Sequence, residues 1–295
     1  MNKKFLFCGC ATAMVTPFKG GGVDYKGLVG LIDRQVSAGV DCLVVCGTTG
    51  EAPTLSDREH KRVLSVVKNR VGDKIPLVAG CGSNDTRHAI MMTRFAKSIG
   101  YDGALIVAPY YNKTTDNGLI GHYFAVADKG DLPIIVYNVP KRTGVDISVD
   151  VYKRLCRHPN IVGVKEASGD TNKMANLISA VKGRVKVYTG NDSDILQTAA
   201  LGGDGVISVV SNIAPRTVTR LWRLYQSGDV SGARKLFYTL LPLVSELFKE
   251  VNPIPVKHAL SKLKLCDNRL RAPLLPMEDH KNLDKLIEDL KEYLV

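Results

Sequence analysis

Short apolar runs alternate with longer amphipathic stretches along most of the chain. Eight runs, at about 8–16, 41–47, 75–80, 103–108, 133–138, 161–166, 185–189 and 204–210, are brief and β-branched, and each ends at Gly, Pro, Asn, Asp or Thr. That pattern predicts buried strands closed by turns. Between them the apolar positions recur at helical spacing. In 24–38, Leu28, Leu31, Ile32 and Val36 share one side, and 56–71 opens with Ser56-x-x-Glu59, a capping-box pattern. Further helices are expected over 85–99, 116–128, 148–156, 172–181, 192–201 and 215–227. Eight strand–helix alternations predict a parallel α/β fold, a (β/α)8 TIM barrel, over residues 1–228. From 229 onward no strand pattern appears. The stretches 229–250, 253–263 and 278–294 predict a C-terminal helical extension, residues 229–295, packed on the barrel. Pro273 and Pro276 mark the linker before its last helix. An open doubly wound sheet is the alternative, and it needs a crevice motif. Gly80-Cys81-Gly82 follows a strand, but Asp85 stands where a dinucleotide fingerprint has its third glycine. Lys19-Gly20-Gly21-Gly22 reads as a flexible loop without the spacing of a P-loop.

Composition narrows the function classes. The 295 residues are 45% hydrophobic and 23% charged, values of an ordinary globular protein. The net charge of +11 is dispersed, usually with Asp or Glu nearby, so it marks no nucleic-acid stripe and fits an anionic substrate at least as well. Seven cysteines (Cys8, Cys10, Cys42, Cys46, Cys81, Cys156, Cys266) are odd in number, and several sit in apolar runs, so reduced core thiols and a cytoplasmic location are expected. Cys8-x-Cys10 and Cys42-x3-Cys46 lack partners at zinc-site spacing, and the six histidines show no H-E-x-x-H, so no metal is expected. The opening Met1-Asn2-Lys3-Lys4 before Phe5–Val15 mimics a leader, but it flows into Thr16-Pro17-Phe18 and reads better as a first strand. No run approaches the ~20 apolar residues of a membrane span.

A parallel barrel keeps its reacting groups at the C-terminal ends of its strands. Those ends here read Gly47-Thr48-Thr49-Gly50-Glu51, Gly82-Ser83-Asn84, Pro109-Tyr110-Tyr111-Asn112, Tyr137-Asn138-Val139-Pro140-Lys141-Arg142-Thr143-Gly144, Lys165-Glu166, Gly190-Asn191-Asp192 and Ile207-Ser208. Lys165 stands out. A solvated lysine has no reason to end an apolar run, and an amine among apolar neighbours tends to lose its proton and become a nucleophile. Strand parity puts Ile161, Gly163 and Lys165 on one face, with Gly163 leaving room for the lysine's stem, and gives Tyr137 the same outlook on the preceding strand. An amine beside a phenol suits imine chemistry, in which protons pass to and from a carbinolamine. The bland readings are a snorkelling lysine, a Thr-Thr turn, a packed tyrosine pair and a solvated arginine. Alternatively, Thr48-Thr49 and Arg142 are the groups that would hold a carboxylate.

These segments, with the opening Thr12-Ala13-Met14-Val15-Thr16-Pro17-Phe18 and Gly163-Val164-Lys165-Glu166-Ala167-Ser168-Gly169, resemble the dihydrodipicolinate synthase / N-acetylneuraminate lyase family over essentially the whole chain. The resemblance implies a class I, pyruvate-handling lyase. It makes Lys165 the residue that forms a Schiff base with pyruvate, Tyr137 the proton shuttle, and Thr48 and Thr49 the carboxylate binders. In it Thr49 links Tyr137 to Tyr111, and Tyr111 is donated across a subunit interface. Gly190 and Ile207 match positions lining the pyruvate pocket. Arg142 matches the arginine that orients the carboxylate of L-aspartate 4-semialdehyde. Arg142 and the Tyr110-Tyr111 pair favour the synthase branch, which condenses those two substrates on the route to diaminopimelate and lysine. The alternatives are a cleaving aldolase acting on sialic or sugar acids, and a ligand-binding regulator without turnover. No external cofactor is implied, and a homotetramer built as a dimer of dimers is. Ala52, His60, Asn84, His88 and Tyr110 match a lysine-effector pocket. Position 88 is commonly Glu in lysine-sensitive members, so weak or absent feedback is expected here.

Overall fold

The computed structural model describes residues 5–294; Met1–Lys4 of the leader-like stretch and Val295 lie outside the described residues. Eight strands follow one another as a closed parallel barrel. They are β1 (Gly9–Ala13), β2 (Cys42–Val45), β3 (Leu77–Gly80), β4 (Gly103–Val107), β5 (Ile134–Asn138), β6 (Ile161–Glu166), β7 (Lys186–Thr189) and β8 (Gly205–Ser208). All eight expected runs are strands, each within a few residues of its expected limits. Nearly every strand position is buried, as parallel strands covered on both faces require.

Polar caps set where the helices begin. Asp24, Ser56, Asp85, Thr115, Ser148, Asp170 and Asp229 each accept a backbone N–H of the first helical turn through the side chain. At Ser56 the capping box with Glu59 is complete in both directions. In the extension, helices Val230–Leu247, Ile254–Lys262 and Lys281–Asp289 pack on one another.

Two local expectations need correction. The stretch expected as a flexible loop is an antiparallel ribbon, Phe18–Lys19 paired with Gly22–Val23. Its two-residue turn needs positive φ at both central positions, and Gly20 (58°) and Gly21 (83°) supply it. The eighth strand stops at Ser208, two residues early, because Val209 turns helical and Ser208 Oγ accepts from the Ser211 N–H at 2.9 Å. Of the cysteines, five are buried, but Cys8 is exposed and Cys266 half-buried.

The chain divides into two compact units. One holds the described residues up to Cys8 with Pro76–Ile207, and so carries β3 to β7 and most of β8. The other holds Gly9–Ile75 with the residues from Ser208 onward, and so carries β1, β2 and the helical extension.

Candidate active site

In the first unit, the register of β5 against β6 pairs Tyr137 with Lys165 and Asn138 with Glu166. Paired residues on parallel neighbours share a face, so the two pairs point to opposite sides of the sheet. Lys165 and Tyr137 are buried, 6% and 7% exposed, and Lys165 Nζ lies 4.3 Å from the centre of the Tyr137 ring. The expected amine–phenol neighbourhood is therefore present.

The stem of Lys165 runs past Gly190. A Cβ at that position would stand 2.7 Å from Lys165 Cε and 2.7 Å from Ala167 Cβ, so the absent side chain is the lysine's slot. Gly163 does not have the role expected of it. A Cβ there would meet Tyr188 at 3.2 Å and Ile135 at 3.3 Å, so this glycine makes room for Tyr188. Tyr188 in turn stacks on Phe7, with centroids 4.3 Å apart, and donates its hydroxyl to the Phe7 carbonyl at 2.8 Å.

The opposite face holds β5 and β6 in place. Glu166, 1% exposed, accepts from Asn138 Nδ2 at 3.0 and 3.1 Å, from the Tyr152 hydroxyl at 2.9 Å and from the Ser168 N–H at 2.8 Å. Lys173 Nζ lies 3.7 Å from it and also pairs with Asp146. Burial, then the Glu166 charge, pushes the Tyr152 phenol well above its ordinary range, so it stays a donor. Asn138 Oδ1 accepts the Ile147 N–H at 3.1 Å and Nδ2 reaches Asp146 at 2.8 Å, which ties down the loop carrying Arg142. Arg142 is exposed on the short helix Pro140–Thr143. Ile207 is buried in β8.

Tyr111 is 90% exposed and sits at φ 69°. A left-handed non-glycine residue costs about 1–3 kcal/mol and persists where its surroundings dictate it. Tyr110 and His88 are half-buried. Asn84 Nδ2 donates to the Tyr110 carbonyl at 3.2 Å and Asn112 Nδ2 to the Asn84 carbonyl at 3.0 Å, so three loop residues are tied together.

In the second unit, the segment after β2 turns sharply. Cys46 (φ 57°) and Glu51 (φ 53°) are both left-handed, and Gly50 is pressed against Cys46 Cα and the Met14 carbonyl, where a Cβ would come within 3.1 Å of each. Thr48 is half-buried and Thr49 buried. Ala52 and His60 follow on the short helix Ala52–Thr54 and on helix Asp57–Val71.

The extension grips this loop through residues that the sequence reading did not single out. Asn252 Nδ2 donates to Thr49 Oγ1 at 3.0 Å. Lys257, with no side-chain exposure, pairs with buried Glu51 at 2.5 Å, donates to the Arg269 carbonyl at 2.7 Å and lies over the Phe18 ring at 4.0 Å. Burial lowers the Lys257 pKa and Glu51 opposes that shift. The Arg271 N–H donates to Glu51 at 3.0 Å, and its guanidinium pairs with Glu59, holding that carboxyl down at about 2.

One grouping of metal-ligand side-chain types has no motif spacing in the sequence. His258, His280 and Asp284 bring three ligand atoms within 4.8 Å. Lys262 Nζ reaches the same Asp284 carboxylate at 3.3 Å. The separation of 22 residues between the histidines hides the cluster from any spacing motif.

The model of the dihydrodipicolinate synthetase family matches residues 6–292. The 4-hydroxy-tetrahydrodipicolinate synthase of Citrifermentans bemidjiense (strain ATCC BAA-1014 / DSM 16622 / JCM 12645 / Bem) is 45% identical over 288 residues, 98% of this chain and 99% of its own. The chain belongs to the dihydrodipicolinate synthetase family. Solved structures agree. The dihydrodipicolinate synthase from Aquifex aeolicus superposes with a TM-score of 0.93 at 44% identity, covering 97% of this chain and 98% of that one. A dihydrodipicolinate synthase variant described as monomeric superposes with a TM-score of 0.94 at 40% identity, covering 98% of each chain. The synthase branch of the family, expected from Arg142 and Tyr110-Tyr111, is the branch these relatives carry. Among the described residues no helix is long and apolar enough to cross a membrane.

Proposed function

We propose that this chain is a 4-hydroxy-tetrahydrodipicolinate synthase that condenses pyruvate with L-aspartate 4-semialdehyde through an imine on Lys165. The observation that carries this reading is the buried Lys165–Tyr137 pair, 4.3 Å from amine to ring centre, with Gly190 clearing the lysine's stem. The Lys165 amine attacks the ketone carbon of pyruvate, and loss of water from the carbinolamine leaves the imine. Removal of a methyl proton turns the imine into an enamine. The enamine carbon adds to the aldehyde of the second substrate, whose oxygen takes a proton and becomes the product's hydroxyl; the amino group of that substrate then attacks the imine carbon, closes the ring and expels the Lys165 amine.

Tyr137 moves the protons of carbinolamine formation and loss. Thr48 and Thr49 hold the pyruvate carboxylate by hydroxyl and backbone donors, and Ile207 lines the pocket with Gly190. Arg142, exposed and anchored through its loop, takes the carboxylate of the aldehyde. The exposed, left-handed Tyr111 fits a phenol presented to a neighbouring subunit, where it completes a relay through Thr49. An interface of that kind implies a dimer at least, and a homotetramer fits the family resemblance. The chemistry is carried by the covalent imine without a separate cofactor, and the enzyme works in the cytoplasm.

A single comparison tests the assignment. Turnover of L-aspartate 4-semialdehyde with pyruvate should exceed cleavage of sialic or sugar acids by orders of magnitude. The reverse order would assign the chain to the cleaving aldolases, and pyruvate binding without turnover of either kind would make it a regulator.

A further inference from the structure

We propose that Asn252, in the C-terminal extension, is a positioning residue that sets the direction of the Thr49 hydroxyl. This rests on the reading that Thr49 serves the pyruvate site. A hydroxyl donates one hydrogen and accepts through its oxygen. Asn252 Nδ2 can only donate, and it does so to Thr49 Oγ1 at 3.0 Å. Both residues are buried, 7% and 3% exposed, so the contact is shielded from exchange with bulk water. The oxygen of Thr49 is thereby used as an acceptor on the Asn252 side. Its single hydrogen must point elsewhere, which makes Thr49 a donor to whatever anion or phenolate oxygen it serves.

The geometry around this contact is held from both ends. On the loop side, Glu51 sits two residues beyond Thr49 in a left-handed conformation. Its carboxylate takes the Lys257 ammonium at 2.5 Å and the Arg271 N–H at 3.0 Å. On the extension side, Asn252 lies five residues before Lys257, at the entry to helix Ile254–Lys262. Lys257 therefore fixes the distance between the helix that carries Asn252 and the loop that carries Thr49. Two hydrogen-bonded links in register leave the Thr49 hydroxyl little freedom to rotate.

Asn252→Asp tests the direction of this bond directly. The new carboxylate can only accept, so Thr49 must turn its hydrogen toward position 252. Asn252→Ala removes the donor without reversing it. The readouts are kcat, KM for pyruvate, and borohydride trapping of pyruvate on Lys165, each on protein whose fold is checked by circular dichroism. We expect kcat to fall about 100-fold in Asn252→Asp and about tenfold in Asn252→Ala, because small misplacements of a group that serves the reacting atoms are costly in rate. Trapping on Lys165 should persist in both. In a Thr49→Val background, Asn252→Asp should have no further effect on kcat, because the two act through one hydroxyl. Equal kcat for wild type and both Asn252 variants would overturn the proposal, and so would full additivity with Thr49→Val. If Thr49→Val itself turned over normally, the reading of Thr49 would fail instead. If neither Asn252 variant folded, Asn252→Leu, which removes the donor while keeping the shape of the side chain, would carry the same comparison with Thr49→Val.

Discussion

A methyl group on Gly190 would stand 2.7 Å from Cε of Lys165, closer than any two carbons rest without bonding. Gly190 is thus part of the lysine's own geometry rather than a turn residue, since it is not among the positive-φ positions. Gly190→Ala should push the Lys165 stem off its path while leaving the barrel folded. A displacement of about 1 Å costs roughly 100-fold in rate. We expect kcat/KM to fall by about that factor with the melting temperature within a few degrees of wild type. Unchanged kcat/KM would show that the slot is not needed.

The barrel was legible in the sequence because buried parallel strands are unbroken apolar runs and their helices begin at capping side chains. Lys165 was legible for the same reason, as a cation interrupting such a run. Lys257 also interrupts an apolar stretch, Pro255-Val256-Lys257-His258-Ala259-Leu260, but in a segment of helical pattern, where strand parity does not apply. What separates them in space is a partner 206 positions away in the chain: Lys257 meets Glu51, and Lys165 meets a phenol on the adjacent strand. Gly163 was assigned to the lysine because sequence parity tells which face a residue takes but not which way a side chain leans along the strand. The Asn252–Thr49 contact spans 203 residues and leaves no local trace.

Lys257 and Glu51 form an ion pair with side chains 0% and 1% exposed. Removing one partner of such a pair strands the other charge away from water, at a cost of about 3–5 kcal/mol. Lys257→Met should lose stability of that order in urea denaturation. The double variant Glu51→Gln/Lys257→Met should lose less, because no buried charge is left unpaired. A double variant less stable than Lys257→Met would contradict this view of the pair.

His122 gives stability a defined acid limb. Its ring is 6% exposed, its Nδ1 lies 3.0 Å from the Thr86 hydroxyl, and burial lowers its pKa from 6.5 to about 4. The folded state therefore keeps His122 neutral where the unfolded chain protonates it. Its contribution is present above pH 6.5 and is lost as the pH falls through 4, on the order of 2–3 kcal/mol. Denaturation midpoints measured between pH 7 and 4 should fall for the wild type and fall less for His122→Gln. Parallel curves would remove His122 as the cause.

Feedback by lysine should be weak or absent. His88 is half-buried in helix Thr86–Ser98 and offers no carboxylate to an incoming ammonium. When protonated it repels one. Activity should hold in millimolar lysine, whereas half-inhibition below a millimolar would show that another group supplies the missing charge.

Everything proposed for the reaction depends on a bond between Lys165 and pyruvate. Incubation with pyruvate and borohydride, followed by peptide mass mapping, tests it most directly. A reduced pyruvate adduct is expected on the peptide bearing Lys165, absent without pyruvate and absent in Lys165→Ala. An adduct on Lys257 or any other lysine, or no adduct at all, would contradict it.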